Sequence, residues 1–128
     1  MDKIKIEPAF TDERGSIWDF LTNVEVQHVG FLISKKNSIR GKHYHKEQEQ
    51  YTLVLNGKMK IITKNLQSQD AKIEEMTLGR MEIVRFPPFC YHALEALEDS
   101  ECLVLTSKGR AGQDYEKDTF RLKDKLIT

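Results

Sequence analysis

Short apolar segments, separated by turn residues every eight to twelve positions, run through most of this sequence. Because antiparallel β-proteins have strands of this length and spacing, the pattern predicts an all-β sandwich or barrel of about ten strands. No segment of useful length has the period of a helix. The segments expected to form strands are 27–35, 50–56, 58–63, 72–78, 81–86 and 101–106.

Turn residues bound several of these segments. Asn56-Gly57 lies between two apolar runs and is a typical β-hairpin signal. Residues 78–80 (LGR) predict a second turn, and Pro87 ends the strand before it because proline has no N–H to donate. The charged C-terminal segment, 109–128, is expected to form an edge strand or a short helix.

The two faces of segment 50–56 differ in character. Alternation along a strand places Gln50, Thr52 and Val54 on one face and Tyr51, Leu53 and Leu55 on the other. If the first face points into a barrel that holds a polar site, the second is too apolar for water and needs a cover. We then expect a homodimer. The alternative is that the apolar face points inward and needs no cover.

Composition narrows the class of protein. The chain has 128 residues, the size of one domain, and its 20 basic residues balance its 20 acidic ones. A neutral chain has no electrostatic reason to bind nucleic acid or an anionic membrane, and no apolar run approaches the ~20 residues of a membrane span. We expect a cytoplasmic protein whose two cysteines are free thiols.

Three histidines carry the candidate chemistry. His43 and His45 are two positions apart, which puts both imidazoles on one face of a strand, and His92 follows a proline pair. Together with the glycine at position 57, this pattern resembles the paired histidine motifs of the cupin superfamily. The resemblance implies a single-domain double-stranded β-helix, or jelly-roll barrel, over residues 1–128, with the three histidines converging inside it.

The position of the motif's glutamate is open. Counting forward from His45 selects Glu49, whereas counting back from Gly57 selects Gln50. The cupin pattern therefore allows either residue to face the site.

Two further stretches, DERGSI (12–17) and RGKHYH (40–45), resemble the nucleotide-sugar branch of the cupins. Its members are the dTDP-4-keto-6-deoxyhexose 3,4-ketoisomerases and, less closely, the 3,5-epimerases. The resemblance implies an isomerase or epimerase of polysaccharide biosynthesis that needs no cofactor. It also implies a homodimer in which the N-terminal region, 1–26, is exchanged between subunits.

The same resemblance implies roles for particular residues. His43 would be the base, His45 a second acid or base, and Arg14 and Arg40 the ligands of the nucleotide diphosphate. Tyr115 and Asp118 are candidates for the catalytic tyrosine and aspartate of the epimerases.

Proton transfer at a 4-keto sugar suits these residue types. The protons next to the ketone are acidic because the enolate delocalises onto oxygen, and histidine has a pKa of ~6.5, near working pH. A preorganised donor must stabilise the oxyanion, and Gln50, Tyr51 and His92 are candidates. Arg85, on a strand expected to line the barrel, is a further candidate phosphate ligand. His28 belongs to no motif and is expected to be structural.

Two other functions use the same residues. His43, His45 and His92, with Glu49 or Gln50, would also make a site for one divalent transition metal. A cupin that binds a sugar without turning it over is the other alternative. The sequence does not name the sugar or the nucleotide, or separate ketoisomerisation from epimerisation, because both begin with the same deprotonation.

Overall fold

The computed structural model describes residues 3–108 and 117–122, and the strands assigned there confirm the all-β prediction. The strands are β1 (Lys3–Lys5), β2 (Phe10–Asp12), β3 (Gly15–Ile17), β4 (His28–Ser34), β5 (Ile39–His43), β6 (Gln50–Asn56), β7 (Met59–Asn65), β8 (Glu74–Leu78), β9 (Glu82–Phe86), β10 (Cys90–Ala96) and β11 (Ser100–Thr106). Each of the six predicted segments contains a strand or overlaps one. No helix within the described ranges is long and apolar enough to span a membrane.

Two antiparallel sheets form the body of the molecule. The larger sheet has the order β1-β9-β6-β11-β4, the smaller has the order β5-β10-β7-β8, and β2 and β3 form a separate hairpin. From β4 to β11 the chain changes sheet at every connection except the β7–β8 hairpin. This alternation is the jelly-roll arrangement that the resemblance to the cupins implied.

The prediction of a hairpin at Asn56-Gly57 is wrong. β6 pairs with β9 and β11, whereas β7 pairs with β8 and β10, so this turn carries the chain from one sheet to the other. Gly57 has a φ of 96°, and a Cβ there would lie 2.6 Å from the carbonyl oxygen of Asp99. The tight turn that the dipeptide signals is therefore present, but it joins strands that do not pair.

The space between the sheets has an apolar end and a polar end. The apolar end is filled by one buried cluster, composed of Val54, Met59, Ile61, Leu78, Val84, Phe86, Cys90, Leu94, Ala96 and Cys102. The polar end holds His43, His45, Gln50, Thr52, Thr63, His92 and Thr106, all of them buried. This division places the candidate chemistry at one end of the barrel.

The outer face of the larger sheet is covered by the chain itself. Tyr51, Leu53, Ile83 and Leu105 form a second buried cluster, against which Ile6, Phe20, Leu21 and Val26 pack. Gln50 and Thr52 do point inward, as one of the two alternatives predicted. The expectation that a second subunit must cover the Tyr51 face is wrong, because residues of the N-terminal region cover it.

A different apolar surface stays exposed. Val29, Phe31 and Ile33 on the outer side of β4 are 57–58% exposed. We call these three residues the β4 strip. Among the described strands, β4 lies at the edge of its sheet and pairs only with β11.

Candidate active site

The structure brings the three predicted histidines together inside the barrel. His43 ends β5 and lies directly opposite His92 of β10, and His45 follows two residues later. The ring centroids of His43 are 4.9 Å from those of His45 and 4.8 Å from those of His92, and all three side chains are at least nine-tenths buried. The pattern of two histidines and a distant third therefore predicted a real cluster.

A bulge next to Gly41 allows this approach. The register between β5 and β10 shifts between His92 and Ala93, and Gly41 has a φ of 88°. A Cβ at position 41 would lie 2.8 Å from the carbonyl oxygen of His92. The glycine of the RGKHYH stretch is thus required by backbone geometry beside the histidines.

Backbone carbonyls fix the orientation of two of the rings. Nδ1 of His45 lies 2.6 Å from the carbonyl oxygen of Asp118, and Nδ1 of His92 lies 3.0 Å from that of Cys90. A carbonyl only accepts, so each Nδ1 donates its proton and each Nε2 carries the lone pair of the neutral ring. Phe86 stacks on His92 with ring centroids 4.3 Å apart and parallel planes.

Asp118 holds the loop that carries His45. Its carboxylate accepts hydrogen bonds from the backbone N–H groups of Lys46 (2.8 Å), Glu47 (3.0 Å) and Gln48 (2.9 Å). Asp118, a candidate for the catalytic aspartate, therefore uses its carboxylate to bind backbone N–H groups of this loop. Tyr115, the other candidate from this segment, lies outside the described residues, as does most of segment 109–128.

A cavity of about 550 Å³ opens between the edge strands of the two sheets, β4 and β5. Its lining includes His28, Arg40, His43, Gln50 and Arg121, and none of the described residues that line it is acidic. Of the clustered histidines only His43 reaches this lining. His45, expected to be a second acid or base for the substrate, lies behind His43 together with His92.

Arg40 is a fixed part of the cavity wall. Its Nε donates to Ser34 Oγ at 3.1 Å, and one terminal nitrogen donates to the carbonyl oxygen of Ile33 at 2.9 Å. These bonds tie the guanidinium to the end of β4 while it remains exposed to solvent.

The choice between Glu49 and Gln50 is made by the inward direction of β6. Gln50 is buried, lines the cavity and donates to Thr52 Oγ1 at 3.3 Å. Glu49 instead forms a salt bridge with Arg85 on the outer face. The Arg85 guanidinium holds the pKa of Glu49 below its usual value, and Glu49 raises the pKa of Arg85.

Two predicted site residues are therefore placed away from the cavity. Tyr51 follows Gln50 and pairs with Arg85 in the sheet, so both side chains lie on the outer face. The prediction of Tyr51 as a catalytic residue and Arg85 as a substrate ligand conflicts with this placement, because neighbouring positions of a strand face opposite sides.

Arg14 is also outside the cavity of its own chain. It lies between β2 and β3, is exposed, and pairs with Asp12 at 2.7 Å. This bond and a second one from the Arg14 backbone lower the pKa of Asp12. The expectation that Arg14 binds the substrate diphosphate is not met within one chain. Exchange of the N-terminal region would bring Arg14 to the site of a neighbouring subunit, and this stays a prediction.

Two residues of the cavity wall with polar side chains, His28 and Arg121, were not predicted from the sequence as site residues. His28 could have been found, because it shares the inward face of β4 with Gly30 and Leu32. Arg121 lies in a charged segment with no periodic pattern, and no signal in the sequence points to it.

The histidine cluster has the donor chemistry of a transition-metal site. Ligand nitrogens of His43, His45 and His92 all lie within 4.8 Å of one another. Metal-bound histidines commonly donate their other N–H to a carbonyl, as His45 and His92 do here. Gln50 remains available as the amide of the predicted set, whereas Glu49 points away.

A family model described as the polysaccharide biosynthesis C-terminal domain matches residues 10–120. Among curated proteins, none matches this sequence.

Several solved structures share the fold. A 3,4-ketoisomerase from Helicobacter canadensis superposes with a TM-score of 0.76 at 20% identity, over 94% of this chain and 90% of that one. The 3,4-ketoisomerase QdtA from Thermoanaerobacterium thermosaccharolyticum, solved as a mutant in complex with TDP-4-keto-6-deoxyglucose, gives 0.73 at 22% identity, over 94% and 86%. A dTDP-4-dehydrorhamnose 3,5-epimerase from Sulfolobus tokodaii gives 0.72 at 23% identity, over 86% and 71%. At such identities the similarity establishes the jelly-roll fold.

Proposed function

This chain belongs to the polysaccharide biosynthesis C-terminal domain family, and from that premise we propose that it is an isomerase or epimerase of a nucleotide-activated 4-keto-6-deoxy sugar. The observation that carries the proposal is the cavity that His43 lines together with two arginines, and that no carboxylate lines among the described residues. Such a cavity favours an anionic ligand and places a base against it. Two of the fold neighbours named above support the substrate class: the ketoisomerase solved in complex with TDP-4-keto-6-deoxyglucose and the dTDP-4-dehydrorhamnose 3,5-epimerase.

In this proposal His43 removes the proton from the carbon next to the ketone. The C–H electron pair forms a carbon–carbon double bond, and the negative charge moves onto the ketone oxygen. Return of that proton to the other face of the same carbon gives epimerisation. For ketoisomerisation, the hydroxyl on that carbon gives its proton to the former ketone oxygen, and the former carbonyl carbon takes up the proton that His43 removed, so that the carbonyl moves by one carbon. His45 and His92, whose ring centroids lie within 5 Å of that of His43, would share the proton that His43 takes up and hand it back to His43, rather than touch the sugar.

In this proposal, arginine side chains bind the diphosphate of the substrate. Arg40 is held by Ser34 and the Ile33 carbonyl, which fixes its guanidinium at the wall before the ligand arrives. Arg121 lies at the same wall. Guanidinium groups match phosphate oxygens in pairs, and binding energy from the nucleotide can be used at the reacting carbon.

The test is solvent exchange. TDP-4-keto-6-deoxyglucose is incubated with the protein in D₂O, and deuterium uptake beside the ketone is followed by NMR. We expect uptake with the native protein and its loss in His43→Asn, with an unchanged melting temperature. Lys60→Asn is the matched control, because Lys60 pairs with Glu75 on the β7–β8 surface. Uptake that persists in His43→Asn would exclude His43 as the base.

A metal-dependent enzyme is the second candidate function. The observation in its favour is the convergence of three imidazoles whose Nδ1 groups, in His45 and His92, donate to backbone carbonyls. His43, His45 and His92 would hold the ion, with Gln50 nearby, and the ion would act as a Lewis acid for the ketone oxygen. Elemental mass spectrometry of untagged protein decides between the candidates. About one transition metal per chain, with exchange lost in chelator, supports this second function.

A binding protein without turnover is tested in the same experiment. Under that alternative the nucleotide sugar raises the melting temperature but takes up no deuterium during long incubation. Retention of activity by metal-free protein supports the first function, which needs no cofactor.

We also infer a homodimer and a cytoplasmic location. The β4 strip is exposed on an edge strand, and Phe31 lies at the cavity lining, so a second copy seated there would also narrow the cavity mouth. We expect Phe31→Glu to shift the mass measured by light scattering from two chains to one.

Cys90 and Cys102 are buried free thiols, which fits a reducing compartment.

A further inference from the structure

His28 faces the cavity from the wall opposite His43. It begins β4 and pairs with Thr106 of β11, which in turn pairs with Gln50 of β6. Directly paired positions of a sheet face the same side, so His28 and Gln50 both point inward, and both line the cavity. β4 and β6 belong to the larger sheet and β5 to the smaller, which puts the base and these two side chains on facing walls.

The two ring nitrogens of His28 are in different surroundings. Within the part of the chain that the structure describes, Nδ1 is buried and has no hydrogen-bond partner. A ligand in the cavity can therefore meet only Nε2. This differs from His45 and His92, where a backbone carbonyl takes the Nδ1 proton.

The surroundings of Nδ1 favour one tautomer. A buried N–H without an acceptor is rarer in proteins than an under-satisfied acceptor, and leaving a donor unmet costs about 1–3 kcal/mol. The neutral ring with its proton on Nε2 buries only a lone pair at Nδ1. His28 then presents an N–H, and not a lone pair, to the cavity.

We propose that His28 is a catalytic residue that donates a hydrogen bond from Nε2–H to the ketone oxygen as that oxygen gains negative charge. The inference rests on the proposed isomerase function. His43 takes the carbon-bound proton, the electron pair ends on the oxygen, and His28 stabilises the charge while keeping its own proton. Gln50, beyond Thr106 on the same wall, carries an amide that can donate to the same oxygen.

Gly30 makes room for this ring. It is the next inward position of β4, and a Cβ there would lie 3.3 Å from Cε1 of His28. An alanine at position 30 would therefore move the imidazole by a few tenths of an ångström, and its methyl group would be the only atom group added to the cavity wall that Gly30 lines.

The experiment compares two substitutions of His28 in the exchange assay with TDP-4-keto-6-deoxyglucose. His28→Leu removes the donor, and we expect kcat to fall about 10²–10³-fold with a KM within a few-fold of native. His28→Gln restores an N–H₂ near the position of Nε2 and should recover most of that loss. Gln27→Leu is the matched control, because the neighbouring Gln27 is exposed and its side chain bonds Glu25.

Each outcome decides the assignment. A His28→Leu protein as active as native overturns it, and a His28→Gln protein as inactive as the leucine variant also overturns it, because a proton-transferring imidazole would then be required. If His28→Leu fails to fold, the Gly30→Ala variant is tested instead. We expect this variant to have a lower kcat at nearly native stability, and a native kcat would contradict the proposal. If native protein exchanges no deuterium into TDP- or UDP-linked 4-keto sugars, the proposed function fails and this inference fails with it. Activity in native protein with no effect at position 28 removes only this inference.

Discussion

The glycine beside the histidine cluster offers a quantitative test of how the backbone builds the site. Gly41 combines a φ of 88° with a close approach, since a Cβ would lie 2.8 Å from the carbonyl oxygen of His92 and 3.4 Å from Cα of Ala93. The left-handed conformation costs a side-chain-bearing residue about 1–2 kcal/mol. Overpacking against backbone adds about 1–3 kcal/mol. We therefore expect Gly41→Ala to destabilise the protein by about 2–5 kcal/mol.

Two other glycines separate these contributions. Gly15 has a φ of 134° but no heavy atom within 4 Å of the added Cβ, so Gly15→Ala should cost at most about 1–2 kcal/mol. Gly79 has neither problem, because its φ is outside the left-handed region and the nearest atom is Glu82 Oε1 at 3.5 Å. Gly79→Ala should be neutral or stabilise by up to about 1 kcal/mol through the unfolded state.

Urea denaturation measures the three free energies of unfolding, and the slope of each transition checks that the unfolded states are comparable. The loss in free energy of unfolding should be largest for Gly41→Ala, smaller for Gly15→Ala and smallest for Gly79→Ala. Equal stability of the Gly41 and Gly79 variants, within about 0.5 kcal/mol, would refute the argument that β5 needs this glycine to approach β10. The Gly41 variant should also lose deuterium exchange, because the His92 carbonyl must move and His92 contacts His43.

Three further predictions concern stability and reactivity. Glu49→Gln should lower the free energy of unfolding by less than about 1 kcal/mol, because the salt bridge between Glu49 and Arg85 is partly exposed. Since folding lowers the pKa of Glu49, the native bridge stabilises the protein above the unfolded pKa. Urea titrations should show that the stability difference between variant and native protein disappears as pH falls through the folded pKa. Burial raises the pKa of Cys90 and Cys102 to about 11, so a thiol reagent at pH 8 should modify neither in folded protein and both after unfolding, and rapid labelling of folded protein would contradict the buried placement. Leu53→Ala should destabilise by about 2–5 kcal/mol in urea, because Leu53 is fully buried under the N-terminal region, and a loss below 1 kcal/mol would show that this cover is loose in solution.

Several features of the site could be predicted from the sequence because they depend on local spacing. The H-x-H pair and the distant third histidine predicted a cluster, and His43, His45 and His92 do converge. The glycine of the RGKHYH stretch also has a local cause, its positive φ beside the bulge.

Other features could not be predicted because alternation fixes only which residues share a face. Both faces of β6 carry apolar residues, so the sequence left open which of Glu49 and Gln50 would point inward. The structure turns Gln50 inward, and Glu49, Tyr51 and Arg85 must then lie outside. A single choice of face therefore decided several of the predicted site residues at once.

The sequence by itself determined the all-β class, the positions of most strands and the identity of the histidine cluster, because these follow from period-two patterning and short spacings. Only the tertiary structure decided which sheet each strand joins, that the N-terminal region covers the Tyr51 face, and that His28 and Arg121 reach the same cavity as His43. These depend on contacts between residues far apart in the chain, and the free energy of such contacts comes from the burial that the whole fold achieves.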